Sequence, residues 1–318
     1  MGDLWTAVST KKNFEAAKRL VKYDQGSNIE DFLSQCVNAA PYLTQAENKI
    51  VTDFVAAAET EIHSKCTSFL KGAAQLPHHE TFLRKLTRRR SKAPRPKFFT
   101  TNYDLCFEQA AARVGLTVID GFSYSQPRIF NPNHFGYDLV RRAQSSSETN
   151  ELVEGVIQLY KLHGSVDWEI EEDRVVQTKS PLPGKRCLIY PASTKYQHSY
   201  TQPYLELVSK YLTSLREPNT ALIIVGFGFN DDHLSAPILS AIQSNPSLNT
   251  LIVDPNIQEK DTDGKLNHTH KRLKTFTDSK VTFVNAYFSQ FADLIPDLKA
   301  LSQEHQLAKN ILNLSQRR

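Results

Sequence analysis

The chain has 318 residues, of which 40% are hydrophobic and 23% are charged, and its formal net charge at pH 7 is +4. This composition is typical of soluble globular proteins, and the length allows one large domain or two ordinary ones. No apolar run approaches the roughly 20 residues that a membrane-spanning helix needs. The first residues also lack the apolar core of a signal peptide. We therefore expect a cytoplasmic protein that makes no contact with a membrane.

The cysteines give no sign of a metal site. The four of them, Cys36, Cys66, Cys106 and Cys187, are far apart, and none belongs to a CxxC pair. Structural zinc sites usually take their ligands in such close pairs. A chain of this length also does not need disulfides to fold. We therefore expect four reduced thiols and no bound metal.

The positive charge is concentrated in one segment. Eight basic residues lie between positions 83 and 97, namely Arg84, Lys85, Arg88, Arg89, Arg90, Lys92, Arg95 and Lys97. Pro94 and Pro96 stop the helical pattern there, so the segment is most simply interpreted as a solvated helix end and linker. The alternative is a surface that contacts nucleic acid or an acidic partner.

The first ninety residues have the pattern of amphipathic helices. Their apolar residues recur mostly at spacings of three and four. Asn28-Ile-Glu-Asp31 predicts a capped helix start, residues 45–70 a long helix, and residues 80–90 one more. We expect residues 1–96 to form a helical N-terminal segment packed on the core of the protein.

Strand signals begin only at Phe98. Short β-branched or aromatic runs predict strands near residue 98 and at 116–119, 156–162, 186–190, 221–225, 250–253 and 281–284. Helical stretches separate several of them, at 105–114, 204–215, 232–243 and 288–301. This alternation predicts an α/β domain with a Rossmann-like parallel sheet and helices on both faces.

The predicted α/β domain covers residues 97–300. Residues 121–155 and 164–200 have weaker periodicity and are interpreted as insertions over the ligand edge of the sheet. Residues 301–318 predict an amphipathic C-terminal helix that either closes the domain or forms a subunit contact.

Polar residues and glycines stand where three predicted strands end. Asn102 follows the first of these strands, His163 follows the second, and Gly226 and Gly228 follow the third. Taken one at a time, such residues are usually caps, turn formers or structural histidines. Ligands of open α/β sheets lie beyond the carboxyl ends of the strands, however. Together, the three strand ends therefore favour a nucleotide site.

The residue types at these strand ends suit a nucleotide. An amide such as that of Asn102 donates and accepts, so it can orient a water and a ribose hydroxyl, and the imidazole of His163 can act as a base near neutral pH. Asp254, after a later strand, could accept from ribose hydroxyls. Asp231 and Asp232 would repel a pyrophosphate, so we assign the glycine turn before them to the ribose or adenosine side of the ligand.

Four motifs in this order resemble the bacterial sirtuin-like NAD hydrolases: Thr101–Asp104 followed by a helix, Lys161–Ser165, Tyr190–Tyr196 and Gly226–His233. The similarity covers about residues 97–290. It resembles in particular the sirtuin-like subunits of antiphage systems that are encoded beside a HerA-type ATPase. The resemblance implies that Asn102 and His163 are catalytic. The residues expected to bind the nucleotide are Thr101, Asp104, Gly226, Gly228 and Asp254.

The resemblance also implies an activity. NAD would be the substrate, and no other cofactor is expected. Its nicotinamide–ribose bond would be cleaved to give ADP-ribose and nicotinamide, and NAD depletion would halt a phage-infected cell. Asn102 would hold the water and the ribose, and His163 would polarise a ribose hydroxyl or the water. A homo-oligomer and a HerA-type ATPase partner are implied as well, with nucleic acid contacted through the complex.

Two features depart from the wider family. The four-cysteine zinc module of sirtuin deacylases is missing, so protein deacylation is less expected. The family also opens with a strand and a Gly-Ala-Gly-type turn around the pyrophosphate, whereas Met1–Trp5 resembles the helix after that turn. Either an upstream strand precedes the given start, or the sheet lacks a central strand. In the second case the protein could be a structural subunit that binds NAD or ADP-ribose with weak or no catalysis.

Overall fold

The computed structural model describes residues 2–24, 26, 28–72, 75–89, 93–143, 150–188, 203–229, 231–255, 273, 275 and 280–296. Its helices are α1 (Gly2–Ser9), α2 (Phe14–Leu20), α3 (Ile29–Ala39), α4 (Gln45–Ser68), α5 (Pro77–Thr87), α6 (Cys106–Arg113), α7 (Tyr204–Arg216), α8 (Asp232–Ser244) and α9 (Phe288–Leu294). Its strands are β1 (Lys97–Thr100), β2 (Thr117–Ile119), β3 (Arg128–Ile129), β4 (Val140–Arg141), β5 (Glu151–Leu152), β6 (Val156–Lys161), β7 (Gly164–Glu171), β8 (Arg174–Gln177), β9 (Arg186–Leu188), β10 (Ala221–Val225), β11 (Asn249–Val253) and β12 (Val281–Val284).

Helices α1–α4 pack around their own aromatic core. The rings of Phe14, Phe32 and Phe54 contact one another with centroids 5.2–5.8 Å apart. As predicted, Asn28 caps α3, because its Oδ1 accepts from the backbone N–H groups of Glu30 and Asp31 at 3.1 and 3.5 Å. Tyr103, Val166 and Leu188 belong to the same core. The N-terminal helices therefore rest directly on the segments that follow β1 and β6.

The predicted parallel strands form two sheets of three. One has the order β1-β6-β2 and the other the order β10-β11-β12, and every pair in both is parallel. Both sheets contribute to the same cores. Tyr160 and Ile224 lie in one, with α7 and α8, while Phe98 and Val253 lie in another, with α5, α6 and α9. This confirms the predicted α/β fold with helices on both faces.

The edge strands β1 and β10 are linked by side chains instead of a ladder. Lys97 Nζ, at the start of β1, lies 2.5 Å from Glu217 Oε1, just ahead of β10. Phe99 packs edge-on against Tyr211 of α7, with centroids 5.5 Å apart. These contacts connect the two sheets beside the hydrophobic core that they share.

The weakly periodic segments contain a second kind of sheet. Strands β3, β8, β7 and β9 form an antiparallel sheet in that order. The run at 186–190 was predicted with the parallel strands, and this is corrected here, since Arg186–Leu188 pairs antiparallel with β7. A short buried run has the same composition in both kinds of sheet, so its partner decides the direction.

Helix α9 ends at Leu294, and the two described residues after it, Ile295 and Pro296, are not helical. Residues 297–318, which include the predicted C-terminal helix, lie outside the described residues. Among the helices that are described, none combines the length and the apolar character needed to cross a membrane.

Candidate functional site

The ends of the parallel strands converge. The backbone N–H of Leu162, after β6, donates to the carbonyl of Thr100 at the end of β1 at 2.8 Å. The His163 ring stacks on that of His233 in the first turn of α8, with centroids 5.8 Å apart and 28° between the planes. The N–H of Gly226 donates to the Val253 carbonyl at 3.2 Å. The segments after β1, β6, β10 and β11 thus meet at one edge, where α/β folds bind ligands.

The loop after β1 presents Asn102 to solvent. Its backbone N–H donates to Thr100 Oγ1 at 3.1 Å, and its side chain is exposed. Thr101 is half-buried beside it. Asp104 Oδ1 accepts from the backbone N–H of Cys106 at 2.9 Å, so this carboxylate caps the start of α6. Within the loop, the Asp104 carboxylate fixes the backbone conformation, and Asn102 is accessible to a ligand.

Lys161, from the end of β6, fixes the same loop. The residue is only 3% exposed, and its ammonium donates to the carbonyl of Tyr103 at 3.3 Å and also to the carbonyl of Asp104. It pairs with Glu108 Oε1 of α6 at 3.0 Å. The hydroxyl of Ser165 donates to the Tyr103 carbonyl at 3.4 Å as well. The motif around His163 therefore positions the backbone around Asn102.

His163 is buried without a hydrogen-bond partner. Only 1% of the residue is exposed, and neither ring nitrogen has a partner among the described residues. Burial, reinforced by the charge of His233, lowers the pKa of His163 to about 3, so the ring is neutral at physiological pH. A buried imidazole with two unused nitrogens costs free energy unless another group bonds to it. A ligand hydroxyl or water could supply that bond.

Gly164 fixes the chain immediately after this histidine. Its φ is +84°, and a Cβ there would overlap with the carbonyl oxygen of Cys187. Only glycine combines this backbone conformation with so close an approach. The turn into β7 is therefore rigidly defined, which sets the direction of the His163 side chain.

A carboxylate from the N-terminal helices lies beside His163. Glu30 Oε1 is 3.9 Å from His163 Nδ1 and accepts a hydrogen bond from the Tyr103 hydroxyl at 2.9 Å. Glu30 is 6% exposed, and its burial, together with the charges of Asp231 and Asp31, raises its pKa to about 7 against the lowering effect of Tyr103. This carboxyl group therefore changes its charge close to neutral pH.

The glycine turn after β10 lies open. Gly226 has a φ of +63° and space around its α-carbon, and both Gly226 and Gly228 are exposed. Asp231 follows the turn, and burial, with the charges of Asp31 and Asp232, raises its pKa to about 6. Asp254 is half-buried, and its N–H donates to the carbonyl of Val284 at 3.1 Å. A ligand on this side of the site would therefore meet mainly backbone groups and carboxylates.

Four residues at this edge were not singled out from the sequence: Glu30, Tyr103, Lys161 and His233. An acidic residue in a first helical turn usually complements the helix dipole, which conceals a buried role for Glu30. A usable signal was its position next to Ile29 and three residues before Leu33, which places Glu30 on the apolar face of the helix. Lys195, Tyr196 and His198, which follow the predicted strand at 186–190, lie outside the described residues.

The basic segment is largely engaged within the chain. Arg95 pairs with Asp138 at 2.7 Å, Lys97 with Glu217 at 2.5 Å, and the Lys85 ammonium donates to the Asp293 carbonyl at 2.6 Å. Elsewhere, no cluster of three or more His, Cys, Asp or Glu side chains within the described ranges could hold a metal ion.

A comparison with known protein families identifies the family to which this chain belongs. A family model described as a SIR2-like domain matches residues 96–276, which is more than half of the chain. A search of curated proteins gives no match. The matched range contains β1, β6, β10 and β11 and the segments that follow them. The chain therefore belongs to the family of SIR2-like domains, which points to an NAD-related function.

Proposed function

We propose that the protein is an NAD glycohydrolase in which Asn102 and His163 are the catalytic residues. In this reaction the bond between C1′ of the ribose and the nicotinamide nitrogen breaks, and its electron pair stays with nicotinamide. A water oxygen adds to C1′ and gives up a proton. The products are nicotinamide, ADP-ribose and one proton.

The observation that carries this proposal is the state of His163. The ring is neutral and enclosed, neither of its nitrogens bonds to a residue that the structure describes, and it lies at the edge where a SIR2-like domain would place a nucleotide. A neutral imidazole can accept a hydrogen bond from a ribose hydroxyl or the attacking water, and it can take the proton once a neighbouring negative charge raises the pKa of the ring. Asn102, exposed on a loop that Lys161 holds in place, can orient that water through its amide.

The direct test is a product analysis. Purified protein and NAD are incubated, and nicotinamide and ADP-ribose are quantified by chromatography. Equal amounts of both products at the rate of NAD loss support the proposal. Intact NAD after prolonged incubation with folded protein contradicts it.

A second candidate is a subunit that binds NAD or ADP-ribose without turnover. The carboxylates of Asp231 and Asp232 favour it, because they stand at the start of α8, where a pyrophosphate would prefer a positive helix end. Calorimetric binding of ADP-ribose together with unchanged NAD would select this candidate. Binding with turnover would select the enzyme.

We also propose that NAD hydrolysis serves antiphage defence, within a homo-oligomer that assembles with a HerA-type ATPase. The support is the resemblance of the strand-end motifs to such subunits. Cells carrying the wild-type protein with its genomic neighbours should lose NAD after infection and limit phage spread. The His163→Ala variant at equal expression should do neither, and equal protection by both proteins would refute the defence role.

A direct contact with nucleic acid is the remaining alternative. It would use the charges at 83–97, several of which are bonded within the chain. If nucleic acid is a ligand, its affinity should fall steeply with salt, and replacing Arg88 and Arg89 with Glu should abolish binding. Salt-insensitive or absent binding would remove this alternative.

A further inference from the structure

The N-terminal helices bring one carboxylate into the strand-end site. Asn28 starts α3, which turns Ile29, Glu30 and Leu33 toward the protein interior. Of these, Glu30 is the charged residue, and it is buried beside apolar neighbours. Burying a carboxylate costs free energy that a single hydrogen bond does not fully offset. Its placement next to His163 therefore suggests a role besides packing.

One carboxylate oxygen of Glu30 lies near both the Tyr103 hydroxyl and the His163 ring. Glu30 Oε1 accepts from the Tyr103 hydroxyl at 2.9 Å and lies 3.9 Å from His163 Nδ1. The second distance is longer than a hydrogen bond, and a shift of about 1 Å would close it. The Tyr103 hydroxyl fixes the carboxylate, while the Tyr103 backbone is held by Lys161 and Ser165. Glu30 is thus already oriented toward the ring before a proton moves.

We propose that Glu30 is a positioning residue that orients the ring of His163 and balances its positive charge when His163 takes a proton during turnover. This role rests on the NAD glycohydrolase activity proposed above. The His163 Nε2 atom would accept the proton from the ribose hydroxyl or the water, while Nδ1–H donates to the Glu30 carboxylate. The proton leaves to solvent after product release, and no other reactant is needed.

Because Glu30 must be ionised to balance the charge of His163, this role predicts that kcat/KM depends on pH. The described titratable groups facing Glu30 and His163 are Tyr103 from the loop after β1, Asp31 from α3, and Asp231 and His233 from the start of α8. Since kcat/KM reports the free enzyme, its acidic limb should follow the ionisation of Glu30, with a midpoint near pH 7.

Three variants test the assignment in different directions. Glu30→Gln keeps the shape of the side chain and should lower kcat/KM roughly 10- to 100-fold, with loss of the limb near pH 7. Tyr103→Phe removes a hydrogen bond that lowers the pKa of Glu30, so the midpoint should rise. Asp31→Asn removes a charge that raises this pKa, so the midpoint should fall. A limb that stays at its wild-type position in Glu30→Gln overturns the proposal.

A readout without turnover separates this role from the activity itself. The ¹⁵N shifts of His163 should report Nδ1–H as the preferred tautomer once Glu30 ionises between pH 6 and 8 in the wild-type protein. In Glu30→Gln this change should be absent, while thermal unfolding shows that the variant is folded. If wild-type protein leaves NAD intact but the tautomer shift occurs, the activity fails and the Glu30–His163 pairing stands. If the shift does not occur, the pairing is wrong even when NAD is hydrolysed.

Discussion

The rings of His163 and His233 stack with their centroids 5.8 Å apart, so one aromatic contact joins the end of β6 to the start of α8. His163 follows a strand of one parallel sheet, and His233 lies in the helix between two strands of the other. Tyr204 also contacts His233, with ring centroids 6.2 Å apart. The His163 ring is therefore held between the N-terminal helices and α8, and its orientation depends on both.

This stack predicts a graded effect of substitution. His233→Ala removes the supporting ring, and we expect kcat/KM for NAD to fall about tenfold or more, because a loosened catalytic ring spends less time in its reactive geometry. His233→Phe keeps an aromatic ring and should lose less. Steady-state kinetics at one pH checks the order, and a larger loss for Phe than for Ala would contradict the supporting role.

Lys161 predicts a loss of stability. Lys161→Met leaves Glu108 without its partner at 3.0 Å and takes one donor away from each of two loop carbonyls. Removing one partner of a buried pair typically costs about 3–5 kcal/mol. Urea unfolding should therefore show a loss of this order.

The matched control for Lys161 is the double variant. Adding Glu108→Gln to Lys161→Met removes the stranded carboxylate and should restore part of the free energy of unfolding. If the loss in the double variant equals the sum of the losses in Lys161→Met and Glu108→Gln, the two side chains do not stabilise each other.

Two glycines should respond differently to alanine. Gly164→Ala meets both a left-handed backbone and an overlap with the Cys187 carbonyl, so we expect a loss of about 3 kcal/mol or more. At Gly226 the φ is +63° but the space is open, so the cost should be only about 1–2 kcal/mol. Equal losses in thermal unfolding would show that the close approach at Gly164 does not matter.

The pH dependence of stability should separate Glu30 from His163. The pKa of Glu30 rises from 4.5 to about 7 on folding, so the folded state binds more protons and the unfolding free energy falls as the pH rises through this window. The pKa of His163 falls from 6.5 to about 3, so its contribution rises with pH from 3 to 6.5. In the wild-type protein the two slopes oppose each other between 4.5 and 6.5.

Single variants should expose each slope. Relative to the wild-type protein, the slope of the unfolding free energy against pH across 4.5–6.5 should become more positive in Glu30→Gln and more negative in His163→Asn, each by up to about 1.4 kcal/mol per pH unit. Chemical unfolding at three pH values within the window measures both. Parallel pH profiles in the two variants would contradict the assigned charge states.

Much of the fold could be predicted from the sequence because its signals are local. The cap at Asn28 and the strand at 221–225 depend on residues within a few positions, and both are found as expected. The direction of Arg186–Leu188 could not be predicted, because a three-residue buried run has no periodicity of its own.

The site was predictable only in part for a similar reason. Asn102 and His163 could be selected from the sequence because they are polar residues at the ends of predicted strands. Glu30 lies 133 positions before His163 in the chain, and only tertiary packing brings the two together. The buried Lys161 likewise looks like an ordinary strand-end lysine until the carbonyls of the Asn102 loop are seen around it.

The central claim is that Asn102 and His163 cleave NAD, and one comparison tests it most directly. The value of kcat/KM for NAD is measured for wild-type protein, Asn102→Ala and His163→Ala, each shown to be folded by thermal unfolding. The account predicts that the wild-type protein forms ADP-ribose and nicotinamide and that each variant loses at least about a hundredfold. Unchanged hydrolysis in both variants would contradict it.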